Sequence, residues 1–117
     1  MTLTHEEIAK MTCMQVNIAI DNRLDKEVGL NYPDYCHDWS KAGELLEMMR
    51  EYHCTLYTPK DMLQSCDVYT CVANTGKDPR NFVYWHASTA PEAIARCWLE
   101  WYEVKNAAKN EVKHETK

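Results

Sequence analysis

Apolar residues recur every third or fourth position through the first half of the chain, which is the spacing of one face of an α-helix. The pattern predicts three helices: a short one after the Thr4–Glu7 capping box, one over residues 15–28, and one over residues 38–52. Gly29 follows the second helix as a C-terminal stop. Gly43 weakens the third helix, and we expect it to let another backbone come close.

Beyond residue 53 the apolar positions form runs of β-branched and aromatic residues of strand length. The predicted strands cover residues 54–57, 67–73 and 82–87, and the turn-rich segment between the last two suits an antiparallel hairpin. A final helix is predicted to begin near Ala90. Thr89 and Glu92 make a capping box there, with Pro91 in the first turn.

These elements predict a single α+β domain in which a three-stranded antiparallel sheet packs with helices. Their order is α-α-β-β-β-α after a short N-terminal helix. The expected division is a short, peripheral helix over residues 1–14, one domain over 15–107, and a frayed tail over 108–117, which is poor in apolar residues. A chain of 117 residues with 45% hydrophobic content has room for one core.

Net charge limits the partners. A formal charge of −5 disfavours duplex nucleic acid, although a local basic patch could still hold one small anion. The first residues lack a basic and then apolar leader, and no stretch approaches the roughly 20 apolar residues of a membrane span. We therefore expect no membrane partner and a cytoplasmic location.

Six cysteines in a reducing compartment are expected to be thiols. Soft ligands that zinc could use are Cys36, His37, His53, Cys54, Cys66 and Cys71. They include no Cys-x-x-Cys knuckle, so buried thiols are the simpler interpretation, and we predict no metal or cofactor. The chain also lacks a Gly-x-Ser-x-Gly elbow, a phosphate-binding Gly-rich loop and a His-Glu-x-x-His motif, so we expect no enzymatic activity.

Basic and aromatic residues flank the third predicted strand. Arg80 and Asn81 precede it, Trp85 lies within it, and Arg96 follows in the next helix. A phosphate is bound by Arg side chains, and an adenine needs a ring to stack on. The predicted ligand site therefore uses Arg80, Asn81 and Arg96 for phosphate and Trp85 for stacking.

The same residues have a purely structural alternative. Arg80 can be a solvated loop charge, while Arg96 can pair with Glu92 or Glu100 at four-residue spacing. The aromatic residues can then be ordinary sheet packing.

Aromatic residues are concentrated in the last helix, where Ile94, Cys97, Trp98 and Trp101 share one stripe and Tyr102 lies beside them. Two Trp exceed what one small core is expected to hide. This excess predicts a homo-oligomer that associates through the aromatic helix surface.

Order and spacing from about residue 17 to residue 107 resemble the small bacteriophage proteins grouped as the phage ABA sandwich domain family. The segments that carry the resemblance are Val28-Gly29-Leu30, Pro33-Asp34-Tyr35-Cys36-His37-Asp38, the aromatic strand, and Thr-Ala-Pro-Glu-Ala-Ile-Ala-Arg from Thr89. Cys36 and His37 stand where the family usually has Ser and Thr. Asp38 is therefore expected to cap the following helix.

The resemblance implies a phage origin and action in the host cytoplasm. Some small phage proteins of similar build, the Thoeris anti-defence sponges, sequester a nucleotide-derived immune signal. We accordingly expect a non-enzymatic anti-defence protein that binds a molecule of the cyclic nucleotide or cyclic ADP-ribose type. The alternatives are an anti-CRISPR-type inhibitor of a host nucleic-acid-targeting complex, or a structural or accessory phage protein.

Overall fold

The computed structural model describes residues 3–24, 34–50, 54–57, 69–74 and 82–115, with side chains up to residue 106. The helices and strands in this part of the chain are α1 (His5–Lys10), α2 (Cys13–Leu24), α3 (Trp39–Met49), β1 (Thr55–Tyr57), β2 (Tyr69–Asn74), β3 (Phe82–Ala87) and α4 (Ala90–Glu115). The predicted α+β class and the order of its elements are confirmed. Residues 25–28, 51–52 and 67–68, which complete three of the predicted elements, lie outside the described ranges.

Capping boxes begin the first two helices. Thr4 and Glu7 exchange hydrogen bonds before α1, as predicted. Thr12 does the same with Gln15: the Gln15 amide donates to the Thr12 hydroxyl at 3.2 Å, and the Thr12 amide donates to the Gln15 side chain at 2.9 Å. Because Thr-x-x-Gln is itself a capping box, α2 begins two positions before the predicted Gln15.

Asp38 caps α3 by accepting a hydrogen bond from the Ser40 amide at 2.9 Å, which confirms its expected role in place of a hydroxyl. The prediction for Gly43 is wrong. A Cβ placed there would meet nothing within 4 Å among the described residues, so no backbone in that part of the chain packs closely against this glycine.

The sheet has the order β1-β2-β3 and is antiparallel throughout. Leu56 lies opposite Cys71, and Cys71 lies opposite Trp85, so these residues point to one face. That face belongs to the core, where Cys71 and Trp85 are buried. Along β3, exposed and buried residues alternate without exception, which is the pattern of a strand covered on one side.

Helix α4 covers the buried face of the sheet. Trp101 donates from its indole nitrogen to the Asn74 carbonyl at 3.0 Å, and the Trp98 ring stacks on Tyr102 with centroids 4.9 Å apart. Trp98 is fully buried and Trp101 is 4% exposed. The core therefore hides both Trp, and the aromatic helix surface expected to form a subunit contact is not exposed.

Two features differ from the sequence prediction: the C-terminal end of α4 and the packing of the N-terminal helix. The backbone of α4 stays helical to Glu115, where a frayed tail was expected from residue 108, because this segment is rich in Ala, Lys and Glu and contains no Gly or Pro. The N-terminal helix is not peripheral, because Ile8 is fully buried in the common core.

No helix among the described residues is long and apolar enough to span a bilayer.

Candidate functional site

Two of the four predicted ligand residues, Arg80 and Asn81, lie outside the described ranges. In the sequence they come directly before Phe82, the first residue of β3. Chain connectivity therefore ties them to the start of that strand, and their ligand contacts stay a prediction.

Trp85 lies on the covered face of β3 and is 6% exposed. Its indole nitrogen donates to the Glu100 carboxylate at 2.8 Å, and the His5 ring stacks on it with centroids 4.1 Å apart. His5 is also hydrogen-bonded through Nδ1 to Glu100 at 2.5 Å. Both the ring face and the polar atom of Trp85 are thus engaged within the protein.

Arg96 is 8% exposed and joins α4 to the N-terminal helix. Its guanidinium donates to the carbonyls of Ile8 and Met11 at 2.6 and 2.9 Å, and to Glu92 at 3.1 Å. These carbonyls lie at the C-terminal end of α1, where the Ile8 carbonyl also accepts a hydrogen bond from the amide of the C-cap residue Met11 at 3.2 Å. The Glu92 pairing is the structural alternative that the four-residue spacing offered.

Trp85 and Arg96 are brought to the same side of α4, because Glu100, the partner of Trp85, lies one turn beyond Arg96. Glu92 and Glu100 flank the guanidinium on that side. An anion bound there would face two carboxylates and one Arg side chain, so the local charge opposes phosphate binding. This side of α4 serves to hold α1.

The other face of the sheet exposes aromatic rings on its two outer strands, whereas Thr70 and Asn74 of the central strand are buried, at 5% and 9% exposed. Tyr57, Phe82 and Tyr84 lie on it and are 41%, 51% and 52% exposed. Tyr84 lies opposite Val72, and Tyr57 lies opposite Thr70, so the central strand separates two aromatic edges. We call this surface the open face; its described residues are Thr55, Tyr57, Thr70, Val72, Asn74, Phe82, Tyr84 and His86.

The open face has no Asp, Glu, Lys or Arg among its described residues, although the whole chain carries a charge of −5. His86 is hydrogen-bonded through Nδ1 to the Thr70 hydroxyl at 2.7 Å. The Tyr84 ring meets His86 edge-on, with centroids 5.8 Å apart. The rings of Phe82, Tyr84 and His86 therefore lie side by side on one strand, and the Tyr84 and His86 rings contact each other.

Sequence reasoning chose Trp85 for stacking and missed Phe82 and Tyr84. Successive residues of a strand point to opposite faces, so an error of one position moves a ring from solvent to core. The run Phe-Val-Tyr-Trp-His-Ala has aromatic residues at both even-numbered and odd-numbered positions, and these two sets point to opposite faces. The pattern predicts a strand, but it does not indicate whether the even-numbered or the odd-numbered residues face the core.

A second group of buried polar atoms belongs to α2 and to the segment that precedes α3. The Asp21 Oδ1 atom and the Tyr35 hydroxyl are buried without a hydrogen-bond partner among the described residues. Burial, followed by the negative charges of Asp21 and Glu44, raises the pKa of Tyr35 to about 12. The Tyr35 phenol is therefore neutral near pH 7, and neither Asp21 nor Tyr35 presents a reactive group to solvent.

Two buried thiols, Cys36 and Cys71, each lie near a partly buried cysteine. Cys54 and Cys71 have sulfur atoms 3.9 Å apart, and the Cys36 thiol lies 3.6 Å from the Cys13 carbonyl. Hydrogen bonding to Cys71, together with burial, raises the pKa of Cys54, and burial beside Cys13 raises the pKa of Cys36. The five described cysteines are free thiols. No group of three or more metal-binding side chains occurs among the residues that the structure describes, while His53 and Cys66 lie outside them.

Comparisons with protein-family models, with curated proteins and with solved structures find no match to this chain.

Proposed function

We propose that this chain is a bacteriophage anti-defence protein that binds a nucleotide-derived immune signal on its open face and sequesters it without catalysis. The observation that carries the proposal is the pair of half-exposed rings, Phe82 and Tyr84, on a sheet face whose described residues include no Asp, Glu, Lys or Arg. Aromatic rings on an open sheet are a recurring platform for nucleobases. The phage origin rests on the sequence resemblance around residues 89–96.

Size supports a small ligand. With six residues in β3 and three strands across, the described part of the open face measures about 20 by 10 Å, or roughly 200 Å². A stable protein interface needs about 800 Å² on each partner. The described part of the face alone is large enough to receive a nucleotide.

In this proposal Phe82 and Tyr84 take the stacking role that the sequence assigned to Trp85. Arg80 and Asn81, which precede Phe82 in the chain, keep their predicted role at the phosphate. Arg96 supports the fold, since its donors are used by α1 and Glu92.

The test is a thermal-shift and calorimetric screen of purified protein against cyclic oligonucleotides and cyclic ADP-ribose isomers. A ligand that binds only the folded state raises the melting temperature with ligand concentration. We expect at least one such ligand, with binding weakened by Tyr84→Ala. Trp39→Ala is the matched control, because Trp39 is 59% exposed but lies at the start of α3, away from the sheet. A flat response across the panel would contradict the proposal.

A second candidate function is inhibition of a host nucleic-acid-targeting complex by protein contact. The observation that favours it is the charge-free aromatic character of the open face, because the centres of protein interfaces are depleted in charge and enriched in aromatic residues. A flat ligand screen, with capture of one host protein that Tyr84→Ala abolishes, would favour this function.

A further inference from the structure

We propose that the thiols of Cys54 and Cys71 bind one soft monovalent metal ion, such as Cu(I), between their sulfur atoms. The two residues belong to the core side of the molecule, so the site is independent of the open face and of nucleotide binding. It differs from a structural zinc site, which takes four ligands.

The spacing of the two sulfur atoms carries the first step. They are 3.9 Å apart. Metal–thiolate bonds are about 2.3 Å long, so two of them span about 3.9 Å at a bond angle of about 115° and about 4.6 Å when they are collinear. An ion between the sulfur atoms therefore needs them to separate by less than about 1 Å.

The backbone favours a bridging ion over a disulfide. Cys54 comes directly before β1, and Leu56 lies opposite Cys71, so Cys54 and Cys71 are diagonal neighbours across the strand pair. The Cα atoms of diagonal neighbours are about 7–8 Å apart, whereas a disulfide requires about 4.4–6.8 Å. Because an inserted ion lengthens the bridge between the two side chains, it suits this separation better than a direct sulfur–sulfur bond.

Both thiols hold their protons until a metal ion displaces them. Hydrogen bonding to Cys71, together with burial, raises the pKa of Cys54. For Cys71 the hydrogen bond with Cys54 lowers the pKa, but the neighbouring Cys97 thiol and burial raise it, and the net shift is upward. Alkylation and oxidation need the thiolate and are therefore slow here, whereas a coordinating metal ion deprotonates a thiol outright. Binding replaces two S–H bonds by two metal–sulfur bonds, releases two protons to solvent and leaves the oxidation state of the ion unchanged.

Solvent reaches the pair from the Cys54 side. Cys54 is half-buried, whereas Cys71 is buried behind it. Cys54 lines a cavity of about 290 Å³ together with Leu46, Glu47, Arg50 and Leu56. A water molecule takes about 30 Å³ of liquid, so the cavity admits an ion together with the small ligands that deliver it.

The chemistry of the ligands selects the ion. Thiolate sulfur favours Cu(I) over hard cations such as Mg²⁺ and Ca²⁺. Two sulfur atoms complete the coordination of a linear Cu(I) ion, whereas they supply half of the ligands that structural zinc takes. We therefore expect the pair to bind Cu(I) in preference to zinc.

The experiment is an anaerobic Cu(I) titration of the reduced full chain against the chelator bathocuproine disulfonate, with native mass spectrometry to count bound ions. We expect one tightly bound Cu(I), and Cys54→Ser should weaken its binding at least about 100-fold because one of two ligands is lost. Cys13→Ser is the matched control, since Cys13 is also half-exposed and also lies beside a buried cysteine, Cys36. It should leave the affinity unchanged. Circular dichroism confirms that both variants fold.

X-ray absorption at the copper edge is the second readout. Two sulfur neighbours that are lost in Cys54→Ser agree with the proposal, and a nitrogen neighbour contradicts it. Equal losses of affinity in Cys13→Ser and Cys54→Ser would show unspecific thiol binding, and zinc binding as tight as that of Cu(I) would show a larger site. Either result overturns the inference. Rapid formation of a Cys54–Cys71 disulfide with diamide also overturns it, because the backbone spacing would then be that of a disulfide.

Discussion

Arg96 holds the N-terminal helix to the rest of the molecule through a buried guanidinium. Its three protein partners are the carbonyls of Ile8 and Met11 and the carboxylate of Glu92. Removing the guanidinium loses three charge-assisted hydrogen bonds, although the Ile8 carbonyl keeps the Met11 amide as a donor. Hydrogen bonds to charged groups contribute about 1.5–3 kcal/mol. At the residue scale, this side chain therefore has a role in stability.

Replacing Arg96 by Met should lower the free energy of unfolding by about 3 kcal/mol, because the charge-assisted hydrogen bonds from its guanidinium to the Ile8 and Met11 carbonyls are lost. Arg50→Met is the control. Arg50 pairs with Glu47 on the surface, where both side chains are largely exposed, so its loss should cost less than about 0.5 kcal/mol. Urea unfolding followed by circular dichroism measures both. Equal effects of the two substitutions would argue against a structural role for Arg96.

Two tyrosines allow the stability contribution of a hydrogen-bonded hydroxyl to be compared with that of a hydroxyl without a described partner. The Tyr102 hydroxyl donates to the Arg23 carbonyl at 3.4 Å, whereas the Tyr35 hydroxyl has no partner among the described residues. Tyr102→Phe should therefore destabilise the protein by about 0.5–1 kcal/mol, while Tyr35→Phe should be neutral or stabilising. Urea titrations of the two variants decide this, and a clear loss in Tyr35→Phe would reveal a hydroxyl partner.

The pH dependence of the same site has a definite sign. Tyr35 has a pKa near 10 in the unfolded chain and about 12 in the folded one, so the folded state holds its proton longer. Its contribution to stability is complete below pH 10 and is lost as the pH rises through the interval up to about 12. Stability measured across this interval should fall less steeply in Tyr35→Phe than in the parent. Parallel curves would contradict the assignment.

At the scale of single elements, helix starts are set by short side chains that satisfy backbone amides. Thr4, Thr12 and Asp38 each accept a hydrogen bond from an amide in the first turn that follows them. All three have neighbours in sequence that make the interaction local. This locality is why the caps of α1 and α3 could be predicted from the sequence, whereas the equally local Thr12 cap of α2 was missed.

Gly43 gives an element-scale prediction. It lies inside α3, and a methyl group there would meet nothing within 4 Å among the described residues. Gly43→Ala should raise stability by about 0.5–1 kcal/mol, because Ala loses less backbone freedom in a helix. Ala42→Gly at the buried neighbouring position should lower it. Thermal unfolding of both variants provides the test, and a destabilised Gly43→Ala would indicate a close neighbour of this helix.

On the scale of the whole molecule, α4 is the element that unites the others. It contacts the sheet through Trp101 and holds α1 through Arg96, and Glu103 reaches α2 by pairing with Arg23. One face of the sheet and the N-terminal helix are thereby joined in a single core. Residues buried against α4 should become accessible together when that core opens.

Cysteine labelling measures this cooperativity. Cys36, Cys71 and Cys97 are buried, whereas Cys13 is half-exposed. In native protein we expect iodoacetamide to label Cys13 first and the three buried thiols only at the rate of global unfolding, with one common urea dependence. Peptide mass spectrometry resolves the sites. Distinct urea dependences among the three would show that the core opens in separate parts.

Much of this protein follows from local pattern. The capping boxes and the four-residue repeats located the helices, and the aromatic runs located the strands, because these signals act between residues close in the chain. The order of the elements and the α+β class followed from the same signals. The pairing of Arg96 with Glu92 was among the alternatives for the same reason, since it depends only on helical spacing.

Other features depend on contacts between residues distant in sequence. Whether Trp85 or Tyr84 faces solvent depends on which side α4 covers, and the partners of Arg96 in α1 are more than 80 positions away. Burial of Trp98 and Trp101 likewise requires the sheet and the neighbouring rings to assemble. Sequence by itself determined the elements and the class of fold. The tertiary structure decided which aromatic rings are free to bind, because a side chain's exposure depends on what packs against it from elsewhere in the chain.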